Sequence, residues 1–241
     1  MARTKATFPG FPKEALQFLR GIEKNNNKQW FDKKKEEYEN SVKGPMLALV
    51  EAINAEMVNY APNYITEPKK AVFRIHRDVR FAKDKTPYKT NIAAGWQRQN
   101  LNKNESASFY MHLSAKELFV GAGIYMPPPE PMKLMRNHIA AHHQELREIL
   151  ADNQLRKWMG GLQGESMTRM PLGFLGAHPA EDLLRRKMYI VWMELPTDVA
   201  YTPNLLADLS ARFEAATPFL EYLNRPMQVA AQKAKTAQSF L

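Results

Sequence analysis

The 241-residue chain has no cysteine, which removes structural disulfides, thiolate zinc sites and cysteine nucleophiles together. It has no long apolar run either. The longest uncharged hydrophobic stretch, Leu118 to Met126, is about half of what a bilayer-spanning helix needs, and the opening MARTKATFPGFP lacks the apolar segment of a secretory signal. The expectation is a cytoplasmic protein with no membrane partner. A GxSxG elbow, a P-loop, a Rossmann fingerprint, an EF-hand loop and an HExxH helix are missing too. Nothing therefore points to a standard nucleophile, nucleotide or calcium site, and no cofactor is expected. No repeat, low-complexity tract or Gly/Ser/Pro-rich linker divides the chain. Residues 1–226 read as a single domain and 227–241 as a C-terminal tail, helical or frayed.

What is present is a globular composition, 44% hydrophobic and 24% charged, with an uneven distribution of charge. The formal net charge is +9. Residues 67–103 carry ten Lys/Arg against three Asp/Glu, whereas 104–241 carry fourteen of each sign. Positive charge gathered in one stretch attracts phosphates or carboxylates. A solvated basic face with no partner is the alternative.

The N-terminal third has helical spacing. Pro12 opens a helix with Ala15, Leu16, Phe18, Leu19 and Ile22 on its apolar side. Asn25-Asn26-Asn27 breaks it, and Asn27 is placed to cap a second helix through Trp30, Phe31, Tyr38 and Val42, ended at Gly44-Pro45. Met46, Leu49, Val50, Ile53 and Met57 form a third stripe. From residue 71 the period becomes two, predicting strands at 71–78, 90–98, 108–114 and 117–126, with a fifth at Tyr189 to Leu195. Short connections predict antiparallel pairing, with a hairpin at Ser114-Ala115-Lys116. Helices are predicted from Pro131 through a stripe of Met135, Ile139, His142, Leu146 and Ile149, and then at 180–187, 203–215 and 217–224. The expected fold class is α+β, a mostly antiparallel sheet of about five strands packed by helices.

The chemistry concentrates in Phe73 to Asn91, FRIHRDVRFAKDKTPYKTN. In an extended chain Arg74, His76 and Asp78 share one face, and Phe73, Ile75 and Arg77 the other. Asp78 stands between Arg77 and Arg80, and Asp84 between Lys83 and Lys85, as orienters that hold flexible cations in one geometry. Thr86-Pro87 predicts a turn. A basic loop on a firm scaffold suits ligand binding; a surface network of ion pairs is the competing reading.

Neighbouring strands offer Tyr110, His112 and Ser114 on one face and Gly121, Gly123 and Tyr125 on another. Glycine in a strand implies close approach, by a substrate or by a packed helix. His138, His142 and Glu145 lie at i, i+4 and i+7, a spacing open to a metal, but His142 also belongs to the apolar stripe, and no metal is assigned. Trp30, Phe31 and Tyr38 are read as core, with a pocket behind the three asparagines as the alternative.

NNNKQWFDKKKEEYE, FRIHRDVRFAKDKTPYKTN, FYMHLS with GAGIYMPPPEPMKLMR, and GFLGAHPAEDLL resemble, in that order and over roughly residues 8–225, the family catalogued as domain of unknown function 2461, found in bacteria and fungi. The resemblance implies a single-domain member and supplies no catalytic residue, cofactor or substrate. Its central motif falls on Arg77, Asp78, Arg80, Phe81, Lys83, Asp84, Lys85, Pro87, Tyr88 and Lys89.

Three readings follow. The first is a module binding a phosphate- or carboxylate-bearing ligand, nucleic acid included, through Arg74, Arg77, Arg80, Lys83, Asp84, Lys85, Tyr88 and Lys89. The second is an enzyme acting on a small anionic substrate, with Asp78, Tyr88 or His112 moving the proton. In the third, the N-terminal helices dock another protein through an exposed apolar patch.

Overall fold

Pro12 and Asn27 start the first helices in the computed structural model, which describes residues 6–174 and 177–238. Part of MARTKATFPGFP, two residues of GFLGAHPAEDLL and the last three residues of the expected tail lie outside the described residues. Helix α1 (Lys13–Lys24) follows Pro12 and buries Ala15, Phe18, Leu19 and Ile22. The Asn27 carboxamide accepts the Trp30 N–H at 3.0 Å and begins α2 (Lys28–Lys33). The single helix expected through Val42 is instead α2, α3 (Lys35–Tyr38) and a π-helical turn, Glu39–Lys43, that runs directly into α4 (Gly44–Tyr60). Gly44-Pro45 does not end a helix. A proline in a first turn removes no bond the helix needs, and the wide turn before it absorbs the extra residue. The predicted stripe of Met46, Leu49, Val50, Ile53 and Met57 is wholly buried.

The short helix α5 (Pro68–Ala71) precedes a four-stranded antiparallel sheet in the order β1 (Asn91–Gln97), β2 (Ser108–Ser114), β3 (Leu118–Ile124), β4 (Tyr189–Leu195). The Ser114 hydroxyl closes the β2–β3 hairpin by accepting the amides of Lys116 and Glu117, each at 3.1 Å. The first predicted strand, 71–78, is reduced to the isolated bridges Val72 to Ala94 and His76 to Tyr88. Gly123 faces neither a substrate nor a helix. It has φ +134°, and a Cβ there would lie 2.1 Å from the Tyr189 carbonyl oxygen, so the glycine admits the backbone of β4.

The chain packs as two compact units, each built from separated stretches. One comprises the chain up to Trp96 with Tyr110–Val120 and Glu194–Ala211. Its core joins the α4 stripe to the aromatic group Phe18, Phe31 and Tyr38, whose ring centres lie 5.5–6.3 Å apart. Trp30 lies against Gly21, where a Cβ would come within 2.6 Å of the indole. The wholly buried Trp96 donates its indole N–H to Asn54 at 3.1 Å.

The other comprises Gln97–Phe109, Gly121–Met193 and the chain from Arg212 onward. It holds α6 (Pro129–Ala151), α7 (Asn153–Met159) and α8 (Glu181–Leu184). The predicted stripe of α6 is interrupted at His142, which is exposed and breaks the helix at φ −131°, ψ 31°; the Tyr222 hydroxyl donates to its freed carbonyl at 3.1 Å. Helix α9 (Leu205–Gln238) is continuous through Pro218 and Pro226, where two helices and a tail were expected. Each proline costs about 3 kcal/mol in a helix interior. Burial of Phe213, Phe219, Leu220 and Leu223, at about 1.5–3 kcal/mol each, outweighs it.

Two outcomes follow from this packing. Gly123→Ala is expected to lower stability by about 3 kcal/mol or more in chemical denaturation, because its Cβ must displace the neighbouring strand. His138 has its Nε2 buried without a hydrogen-bond partner, and burial, then His142 and Arg225, push its pKa down to about 4. A histidine depressed in the folded state is charged first in the unfolded chain, so its contribution is complete above pH 6.5 and is lost as pH falls towards 4. Melting curves across that window should show a slope of about 1–2 kcal/mol, reduced for partial exposure, that His138→Leu flattens.

Candidate functional site

The basic segment folds back on itself as a ribbon. Phe73 donates its amide to Ala93 at 2.9 Å, Lys89 to Ile75 at 2.8 Å and Arg77 to Pro87 at 2.9 Å, which leaves residues 78–86 as the tip. Its root is apolar. Ile75 and Tyr88 are buried, and the Tyr88 ring stacks on Phe31 with centres 4.3 Å apart and planes 21° from parallel. Asn26 secures the same residue by its backbone, donating from Nδ2 to the Tyr88 carbonyl at 2.9 Å and accepting the Tyr88 N–H on Oδ1 at 3.0 Å. One carboxamide thus supplies both partners that a neighbouring strand would have offered.

Two carboxylates brace the tip. Arg77 donates to Asp84 at 2.6 Å, to the Thr86 carbonyl at 3.2 Å and to the Thr86 hydroxyl. Asp84 also accepts the Thr86 amide and hydroxyl, each at 2.9 Å. The Thr86 amide, then the Arg77 guanidinium and the Thr86 hydroxyl, hold the Asp84 carboxyl at about 2. Asp78 takes Arg80 as a fork, Nε at 3.0 Å and Nη2 at 2.7 Å. That pairing lowers the Asp78 pKa, with Arg74 adding a smaller effect through space. Between the braces, Ala82 donates to Val79 at 3.4 Å, and the Lys85 ammonium donates to the carbonyls of Val79 at 3.0 Å and Arg80 at 3.4 Å. The tip is a tight turn clipped from below by a lysine.

The predicted residues therefore take different places. Arg77 and Arg80 hold carboxylates, and Lys85 holds backbone. Lys89 lies with its ammonium 5.2 Å from the centre of the Phe73 ring. Arg74 and Lys83 are exposed, and neither has an ion pair among the described residues. Asp78, Tyr88 and His112 are not hydrogen-bonded to one another among the described residues. His112 pairs with Glu117 at 3.1 Å and stacks on Phe119 at 5.1 Å, in the same unit as the arm. Tyr88 is held by Phe31, its pKa raised by burial and then by Asp32. His138, His142 and Glu145 do not assemble as a metal centre; Glu145 is forked to Arg225 at 2.7 Å on both oxygens, and no metal-holding cluster of three occurs among the described residues.

Three residues of the site carry roles that spacing alone does not announce. Asn26 reads locally as a helix breaker, although its partner lies 62 residues away. Thr86 reads as part of a turn, although its hydroxyl joins Arg77 to Asp84. Phe81 stands in the sequence only as one position of the central motif, yet it is 95% exposed in the turn from Val79 to Ala82. Among the described residues the large apolar side chains that are exposed are Val58, Phe81, Tyr125, Met126, Leu172 and Val229. Of these, Val58 is the one on the N-terminal helices. No helix among the described residues is long and apolar enough to cross a membrane.

A family model described as a conserved hypothetical protein (DUF2461) matches residues 14–222, and the chain belongs to that family. No curated protein matches it. The match takes in all of α1 but its first residue, the whole arm and the sheet, so the braced tip lies inside the family's shared region.

Asn26→Ala removes both bonds to Tyr88 and leaves two part-buried backbone groups unsatisfied, at about 1–3 kcal/mol. Faster hydrogen exchange is expected at the amides of Arg77, Tyr88 and Lys89, with α9 amides unchanged.

Proposed function

We propose that the arm at residues 74–89 binds a phosphate- or carboxylate-bearing ligand, through Arg74 and Lys83 first, with Arg77, Arg80, Lys85 and Lys89 supplying field and shape. One observation carries this reading. The arm holds six Lys/Arg against two Asp/Glu, and both carboxylates are taken up by Arg77 and Arg80. The paired arginines give the tip its form, and the positive charge beyond those pairs is set on a preformed turn. A preformed backbone brings these cations to one place before the anion arrives, so binding orders only the side chains of Arg74 and Lys83 and not the loop that carries them. The roles expected of Asp78 and Asp84 as orienters fit this reading, since each carboxylate fixes one guanidinium. Tyr88 serves as the anchor of the ribbon, with its ring turned to Phe31.

The test is a titration with inorganic pyrophosphate and, separately, citrate, followed by amide shifts. Shifts confined to residues 74–89 are expected, and Arg74→Ala with Lys83→Ala should weaken the stronger ligand about tenfold, ~1.4 kcal/mol. Raising salt from about 50 to 200 mM should weaken it further. The reading is lost if neither ion moves arm resonances, or if the double variant binds as the parent does.

A further inference from the structure

Beside the cations, the arm carries a feature that anion binding does not use. Phe81 is 95% exposed, the most open phenylalanine of the described core and surface. It is held there rather than left there. It occupies the turn from Val79 to Ala82, closed at 3.4 Å, with Lys85 clipping the two carbonyls before it. Its neighbour Arg80 is locked on Asp78 with the guanidinium carbon 5.9 Å from the ring centre. The exposed cations Arg74 and Lys83 belong to the same ribbon. An aromatic face on a fixed turn, with Arg80 beside it, Lys83 two residues on and Arg74 on the limb that leads to it, matches a ligand that offers flat π surfaces and negative charge in alternation.

Resting on the anion-binding reading above, we infer that this arm binds single-stranded nucleic acid, with an unpaired base stacked on Phe81 and the flanking phosphates met by Arg74 and Lys83. Bases present a π face regardless of sequence, and their phosphates recur along the strand, so one ring and a few cations suffice for a sequence-tolerant contact. A duplex keeps its base faces covered and gains only the phosphate contacts. An anionic bilayer fits less well. Sinking the ring past the headgroups would draw the Asp78–Arg80 ion pair, adjacent in sequence, towards the same depth, whereas a stacked base leaves that pair in water.

The experiment is fluorescence anisotropy with the full chain and labelled 12-mers of deoxythymidine and of uridine, competed by inorganic polyphosphate of equal charge and by a 12-base-pair duplex. Phe81→Ala is expected to weaken oligonucleotide binding about tenfold with an unchanged salt slope, and Phe81→Trp to restore it. Arg74→Ala with Lys83→Ala should reduce the salt slope itself. The deoxy and ribo 12-mers distinguish DNA from RNA as the preferred strand. If Phe81→Ala binds within twofold of the parent, or polyphosphate and duplex compete as well as the oligonucleotide, stacking is wrong and the anion site stands. If neither polyphosphate nor oligonucleotide binds, both readings fall together. Circular dichroism of Phe81→Ala should match the parent, since the ring has almost no contact to lose.

Discussion

A carboxamide that gives both of its hydrogen-bonding ends to the backbone of a single distant residue recurs through this chain, and the positions of its loops depend on it. Asn26 takes the N–H and C=O of Tyr88 at 3.0 and 2.9 Å. Asn54 does the same to Thr66 at 3.3 and 2.7 Å, and Asn224, wholly buried, to Ala107 at 2.8 and 2.9 Å. A segment that leaves a sheet or helix has backbone groups that need partners, and a primary amide matches a peptide unit in donor, acceptor and planarity. Each clamp fixes the chain at one residue without extending a strand, so a loop can be held firmly while its sides stay open to water.

The arm shows what such holding permits. Tyr88 is fixed by its backbone to Asn26 and by its ring to Phe31. With the root secured, the tip is shaped by charge. Exposed ion pairs individually contribute little, about 0–1 kcal/mol, but Asp84 engages Arg77 and both polar groups of Thr86 together, and that number of donors is what depresses its pKa. Each carboxylate fixes one arginine, and Arg74 and Lys83 stay exposed beyond those two pairs. Order and positive charge are thereby combined in one short segment, where unbraced lysines and arginines would spread into solvent.

Much of the fold is legible locally. Strands β2 and β4 coincide with their alternating runs, the cap at Asn27 follows from an asparagine before an apolar period, and the α4 stripe is buried as its spacing predicts. Misreadings fall where a remote partner decides. Pro218 and Pro226 lie inside α9 because burial along the helix exceeds what each proline removes. Residues 71–78 have the period of a strand, yet they pair at only two isolated bridges, His76 with Tyr88 on the returning limb and Val72 with Ala94 of β1. Gly123 signals a close approach, and the approaching group is the Tyr189 backbone, not a ligand or a helix.

The candidate site divides in the same way. Composition and spacing alone determined that residues 67–103 are strongly basic, that 71–78 has the period of a strand, and that aspartates stand within reach of arginines, because neighbours in sequence are neighbours in space at that range. Only the tertiary structure decided which cations are paired, that Tyr88 is an anchor, and that Phe81 faces water. A period-two pattern assigns a side chain to a face. Whether that face is covered depends on chain elsewhere, here Asn26 and Phe31 pressing on one end of the ribbon while Phe81 at the other is 95% exposed among the described residues.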